Sequence, residues 1–154
     1  QYMVTSVDFG VESANNTQPV TVRLYTNSGA PFPGGTRTQI ATTTISVTAA
    51  QTGTVVSTPI SANVPAGTSE LVMELFTPDG QTAGNLFFVG SNASPESGPS
   101  YLSAASCGVT TPTTTAASIS RPGHRSACAI ASVGGNTTVP GWNTEPLWTS
   151  SCSA

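Results

Sequence analysis

The sequence predicts an all-β chain: two antiparallel sheets packed as a sandwich, jelly-roll or immunoglobulin-like, with an irregular C-terminal tail. Three observations predict it. Of the 154 residues, 25 are Thr, 20 are Ser and none is Lys, and Thr is β-branched and suits a pleated, half-buried surface. The 15 Gly and 12 Pro punctuate the chain at the short intervals that turns between strands require. Apolar residues alternate with polar ones at a period of two in several segments, and none carries a helical apolar stripe.

The elements follow in order. "YMVTSVDFGVES" alternates, with Met3, Val7, Phe9 and Val11 on one face and Tyr2, Val4 and Asp8 on the other. After the break at "NNTQP", "PVTVRLYT" turns Val20, Val22 and Leu24 inward and Arg23 and Tyr25 outward. "NSGAPFPGG" is a loop by its Gly and Pro content. "TQIATTTISV" is a third strand, with Ile45 and Val47 inward. "TVVSTPI" is a fourth, and Pro59 places its end at a sheet edge or bulge; "SANVPAGTS" connects it to the next. "ELVMELF" alternates most cleanly: Leu71, Met73 and Leu75 against Glu70, Val72, Glu74 and Phe76. "NLFFVGSN" is apolar on both faces and reads as a central strand covered on both sides. Beyond Asn92 the alternation weakens. Residues 1–117 are expected to form the sandwich and 118–154 the tail, with one further strand at about 127–133.

Net charge is −3, with charged residues at only 7%. Four Arg with no basic run argue against nucleic acid and against anionic lipid as partners. No stretch approaches the roughly 18 apolar residues of a membrane span. Gln1 runs directly into a strand pattern, and the expectation is a mature or excised fragment. The cysteines are Cys107, Cys128 and Cys152. Their odd number leaves one unpaired within the chain, and both Cys107–Cys128 and Cys128–Cys152 remain open as disulfides. Composition points to a secreted or cell-surface setting.

The run "VTSVDFGVESA", "QPVTVRLYT", "VPAGTSELVMELFTPDGQ", "NLFFVGSN" and "PSYLSAASCGVTTPT" resembles the jelly-roll-like β-sandwich accessory and adhesion modules of secreted bacterial multidomain proteins. The resemblance covers about Gln1 to Thr115. It implies an extracellular module with no catalytic residues to carry over and a multidomain parent protein. It also implies a further apolar strand near "AASISRPGH", where this chain has Arg121, Pro122, Gly123, His124 and Arg125.

Four chemistries have candidate residues in the chain. Ser-His-acid or Cys-His catalysis would rest on the single histidine, His124, in "RPGHR". No G-x-S-x-G elbow accompanies it, and an exposed loop histidine is the plainer account. Glycoside hydrolysis needs two carboxylates across a cleft. Glu70 and Glu74 share a strand face about 13 Å apart, too far for a retaining pair, and a cross-strand pair of Glu74 with Arg23 is the plainer account. Calcium is the one cofactor the residues suggest, with Asp79 and Asn85 as ligands, joined by Asp8 and Glu12. Against it, Pro78-Asp79-Gly80 reads as a β-turn in which Gly80 takes a positive φ. A carbohydrate platform would use Tyr25, Tyr101, Trp142 and Trp148. The function expected is non-catalytic binding, adhesion or support, through the loops Asn27–Thr36, Pro78–Asn85 and Ser91–Tyr101. The partner would be a carbohydrate or another surface protein. The alternatives are a fibre or surface-layer subunit pairing through open sheet edges and a small hydrolase using His124.

Overall fold

The computed structural model describes residues 1–90, 99–105, 108–115, 126–127, 131–135 and 151–152. Long strands dominate it: β1 (Tyr2–Asn15), β2 (Thr17–Ser28), β3 (Thr36–Thr48), β4 (Thr54–Val64) and β5 (Glu70–Phe76). Shorter ones follow: β6 (Leu86–Val89), β7 (Ser100–Ala104), β8 (Val109–Thr114), β9 (Ser126–Ala127), β10 (Ala131–Gly135) and β11 (Ser151–Cys152). They form a three-stranded sheet in the order β4-β1-β6, a six-stranded sheet in the order β3-β2-β5-β10-β7-β8, and the pair β11-β9. Every pairing is antiparallel. The chain is all-β and sandwich-like, as its alternation requires.

The two larger sheets bury one core between them. Val7, Phe9 and Val11 of β1 and Val56, Ile60 and Ala62 of β4 meet Val20, Val22 and Leu24 of β2, Val47 of β3 and Leu75 of β5. Phe87 of β6 packs edge-on against Phe9, ring centroids 6.0 Å apart. Full burial of each such side chain contributes about 1.5–3 kcal/mol, which is why the period-two pattern sets the register. The link from β1 to β2 turns at Asn16, the one non-glycine residue with positive φ among those described; asparagine tolerates that conformation better than most residues. Asn15 and Asn16 each donate through Nδ2 to the Gly84 carbonyl at 3.0 Å, fastening this turn to the loop before β6.

Four local expectations are corrected. Met3 is 57% exposed and Val4 packs on the core instead. The register slips by one residue between Val4 and Ser6, and a one-residue slip exchanges the two faces. Strand β4 runs on through "SANV" to Val64, burying Ala62 and Val64. Pro59, opposite Ser6 at that irregularity, lies on an edge strand, where its missing N–H breaks no ladder. "NLFFVGSN" holds an edge strand, β6, which among the described strands pairs only with β1 and exposes Leu86. The central strand covered on both sides is β5: Leu75 is buried on the core side, and Val72 and Glu74 are buried on the other. Finally, Gly80 does not take a positive φ; Gly84, at φ 71°, does. Gly80 is needed for close approach, because a Cβ there would lie 2.5 Å from Gln18 Oε1 and 2.8 Å from Asn85 Cβ.

From the segment beyond residue 117, β10 pairs with β5 on one side and β7 on the other. It thereby joins the β7-β8 hairpin to the rest of the six-stranded sheet.

Candidate functional site

The outer face of the six-stranded sheet gathers the polar and aromatic side chains that the inner face excludes. Register places them in rows. One row holds Thr42, Arg23 and Glu74 and, across the backbone of β10, Tyr101 and Thr114. The next row is Gln39, Tyr25, Val72 and Gly134, and the one beyond it is Arg37, Asn27 and Glu70. Odd-numbered residues of β2 and even-numbered residues of β5 therefore share this face. That is the alternation expected from their sequences.

Glu74 is the centre of the first row. Arg23 Nη1 donates to its Oε1 at 3.1 Å, and the Tyr25 hydroxyl donates to its Oε2 at 2.6 Å. The Arg23 guanidinium also lies 4.6 Å from the Phe76 ring centroid, so its charge is shared between a carboxylate and a ring face. Burial raises the Tyr25 pKa above its ordinary value, and the hydrogen bond to Glu74 and that carboxylate's charge raise it further; Arg23 and Arg37 oppose the rise. The phenol therefore stays a protonated donor across neutral pH.

Glu70 holds the loop between β2 and β3. Its Oε2 accepts from Asn27 Nδ2 at 2.5 Å and from the Phe32 backbone N–H at 3.0 Å. Asn27 Nδ2 also donates to the Ala30 carbonyl at 3.0 Å. Gly29 and Gly35 turn the loop with φ of 84° and 73°, and the Phe32–Pro33 peptide is cis. Phe32 is folded back onto the sheet and only 5% exposed. Its ring meets Tyr101 edge-on at 4.8 Å, and the Tyr101 hydroxyl donates to the Phe32 carbonyl at 2.9 Å. A Cβ on Gly35 would strike the Ala30 carbonyl and lie 2.6 Å from the Ser28 carbonyl oxygen, both backbone atoms that cannot step aside.

Arg37 completes the patch. It is exposed, and its guanidinium lies 5.2 Å from the Tyr25 ring centroid and 5.3 Å from that of Phe32. Among the described residues the ion pair present is Arg23–Glu74, and Arg37 has no carboxylate partner. Arg37 is thus a cation positioned by two rings and open to solvent.

The structure brings together Tyr25 and Tyr101, two of the four residues expected to form an aromatic platform, through Phe32 and Arg37. Trp142 and Trp148 lie outside the described residues, as do His124, Cys107 and Cys128. The carboxylates considered for paired-acid chemistry, Glu70 and Glu74, are each engaged by two donors. Of the calcium set, Asp8 and Glu12 are exposed on β1, Asp79 is exposed after β5, and Asn85 precedes β6. Among the described residues no group of three or more His, Cys, Asp or Glu could hold a metal ion. The loop around Asp79 is instead shaped by Gly80, whose carbonyl accepts from the Ala83 and Asn85 N–H groups at 3.1 and 2.9 Å. Gln18 Nε2 donates to Thr77 Oγ1 and the Pro78 carbonyl beside it.

Sequence reasoning missed Phe32 and Arg37. The loop reading "GAPFPGG" contained a signal for Phe32: a lone aromatic between two prolines must find apolar cover or stay in water. Arg37 carried none, since stacking on Tyr25 depends on a register that spacing does not reveal. Comparison with known proteins finds no matching family model, no matching curated protein and no matching solved structure.

Proposed function

We propose that this chain is a non-catalytic extracellular binding module and that its contact surface is the patch of Tyr25, Arg37 and the 29–35 loop. The observation that carries this reading is Arg37: an exposed guanidinium, oriented by two aromatic rings and without a described carboxylate partner. A planar guanidinium held in this way matches a carboxylate with two parallel hydrogen bonds and loses little freedom on doing so. A neighbouring tyrosine offers a flat face of the kind sugars lie against. The partner class that suits both is an acidic polysaccharide, such as one with uronic acid units. The mechanism is rigid display: the sheet fixes the loop through Glu70 and Tyr101, so the contact groups are ordered before the partner arrives.

The test is retention on affinity gels containing acidic polysaccharides, with neutral polysaccharides and an acidic protein as comparisons. Retardation by the acidic glycans that weakens with added salt and is lost in Arg37→Ala supports the reading. Equal retention of wild type and Arg37→Ala, or retention by the acidic protein alone, rejects it.

A further inference from the structure

We infer that the outer edge of β3 is a self-association edge, pairing antiparallel with β3 of a second copy of this chain about a two-fold axis. Among the described strands, β2 is its sole hydrogen-bonded neighbour, so the other side of its backbone is left without a strand partner. The strand is 13 residues long, about 43 Å at the rise of an extended chain. An edge of this length is a template for pairing unless it is guarded.

The remaining edges of the two main sheets are guarded. Strand β4 carries Pro59 and the register slip beside it. Strand β6 has only four residues. Strand β8 carries Pro112, and its pairing with β7 is irregular between Leu102 and Ala104. Strand β3 has no proline; its one charged residue, Arg37, and its one register irregularity, at Ile40, lie in its first five residues, which leaves Ala41–Thr48 regular and uncharged.

The second copy is the occupant that this edge suits. From Thr38 to Thr48 there is no charge, so two identical edges meet without like-charge repulsion, while a charged foreign strand would find nothing to pair with. Antiparallel pairing of two copies is self-complementary, because each residue's partner is repeated by symmetry. The exposed positions Thr38, Thr42, Thr44 and Ser46 are hydroxyl residues. Such residues already bond across this sheet: Thr21 Oγ1 and Thr44 Oγ1 are 2.9 Å apart. Pairing would repeat that contact across the seam. With one long, regular and uncharged edge per copy among the described strands, association closes at the dimer and does not grow into a fibre.

A two-fold of this kind sets both copies' Tyr25–Arg37 patches on one side of a continuous sheet. Two-point attachment to a polymer follows. That consequence rests on the binding function proposed above; the pairing itself does not.

The experiment is sedimentation velocity on the full chain over a concentration series from about 1 to 300 μM, without any glycan. A concentration-dependent shift from monomer to dimer is expected. The double variant Thr38→Lys/Ser46→Lys should remain monomeric, because charges on both flanks of the edge oppose pairing in any register. The matched β4 variant Ser57→Lys/Ser61→Lys should still dimerise. A wild type that stays monomeric throughout overturns the inference, as does a β3 variant that dimerises normally or a wild type that grows past the dimer. Amide hydrogen exchange on the wild type gives a second readout that needs no variant. Protection within residues 38–48 should rise with concentration by at least tenfold at alternate amides, and concentration-independent exchange there rejects β3 as the seam.

Discussion

Replacing Glu70 with alanine tests the loop anchor directly. The carboxylate oxygen Oε2 accepts two hydrogen bonds, from Asn27 Nδ2 and the Phe32 N–H. Both donors belong to buried residues, Asn27 being 3% and Phe32 5% exposed. Asn27 keeps one partner after the change, the Ala30 carbonyl, but Phe32 loses the acceptor of its N–H. A hydrogen bond to a charged group is worth about 1.5–3 kcal/mol, and a buried donor left without an acceptor costs about 1–3 kcal/mol. Allowing for Asn27's remaining bond and for water reaching a surface loop, Glu70→Ala should destabilise the chain by about 2–4 kcal/mol. At about 2–4 °C per kcal/mol for a domain of this size, the melting temperature falls by roughly 5–15 °C. Urea unfolding followed by far-ultraviolet circular dichroism measures the first quantity and a thermal scan the second. Glu70→Gln retains an acceptor and should lose about half as much, while Glu12→Ala, at an exposed position, should stay within about 0.5 kcal/mol. A loss below about 0.5 kcal/mol in Glu70→Ala would refute the anchor, because the loop would then hold its place without the carboxylate.

Three further outcomes are expected. The Tyr25 pKa is raised in the folded chain above its ordinary value of 10.0, so the folded state holds the phenolic proton more tightly than the unfolded state. Its contribution to stability is complete below about pH 10 and is lost as pH rises through the higher folded value. Tyr25→Phe should flatten part of that alkaline loss in urea titrations at several pH values, and an unchanged alkaline slope would count against it. Gly80→Ala should cost about 1–3 kcal/mol through overlap with Gln18 and Asn85, whereas Gly53→Ala, with open space around its Cβ position, should cost about 1 kcal/mol from its positive φ alone; equal losses in the two would remove the packing role assigned to Gly80. Adding EDTA should leave the melting temperature unchanged, since the loop around Asp79 is held by hydrogen bonds to the Gly80 carbonyl and from Gln18, and a drop of several degrees reversed by calcium would contradict this.

Much of the fold was legible because one property, side-chain alternation, determines which face of a strand is buried. Val20, Val22 and Leu24 face the core as their spacing demands, and Arg23 and Tyr25 face away. The pairing of Arg23 with Glu74 was also legible, since two outward charges of opposite sign on neighbouring strands attract once those strands pair. Alternation fails where a ladder slips. Met3 and Val4 exchange faces near the irregularity at Ser6; Pro59 marks the bulge on β4, but nothing within β1 itself shows which of its residues stands opposite that proline. Apolar content on both faces pointed to the wrong central strand. The pattern singles out "NLFFVGSN", yet β5, with two glutamates, is the strand covered on both sides. A carboxylate can be buried when arginine, tyrosine or amide donors satisfy it, and those donors come from β2 and the loop after it.

The sequence by itself therefore determined the class of fold, the inward faces of the long strands and the low charge of their edges, because these depend on composition and on near neighbours. Tertiary structure alone decided the Tyr25–Arg37 patch. Tyr25, Phe32, Arg37, Glu70 and Tyr101 come together only when β2 pairs with both β3 and β5 and the 29–35 loop folds back onto the sheet. The physical reason is range. Alternation is written residue by residue, whereas a site assembled across strands depends on register, and register is settled by the packing of the whole core.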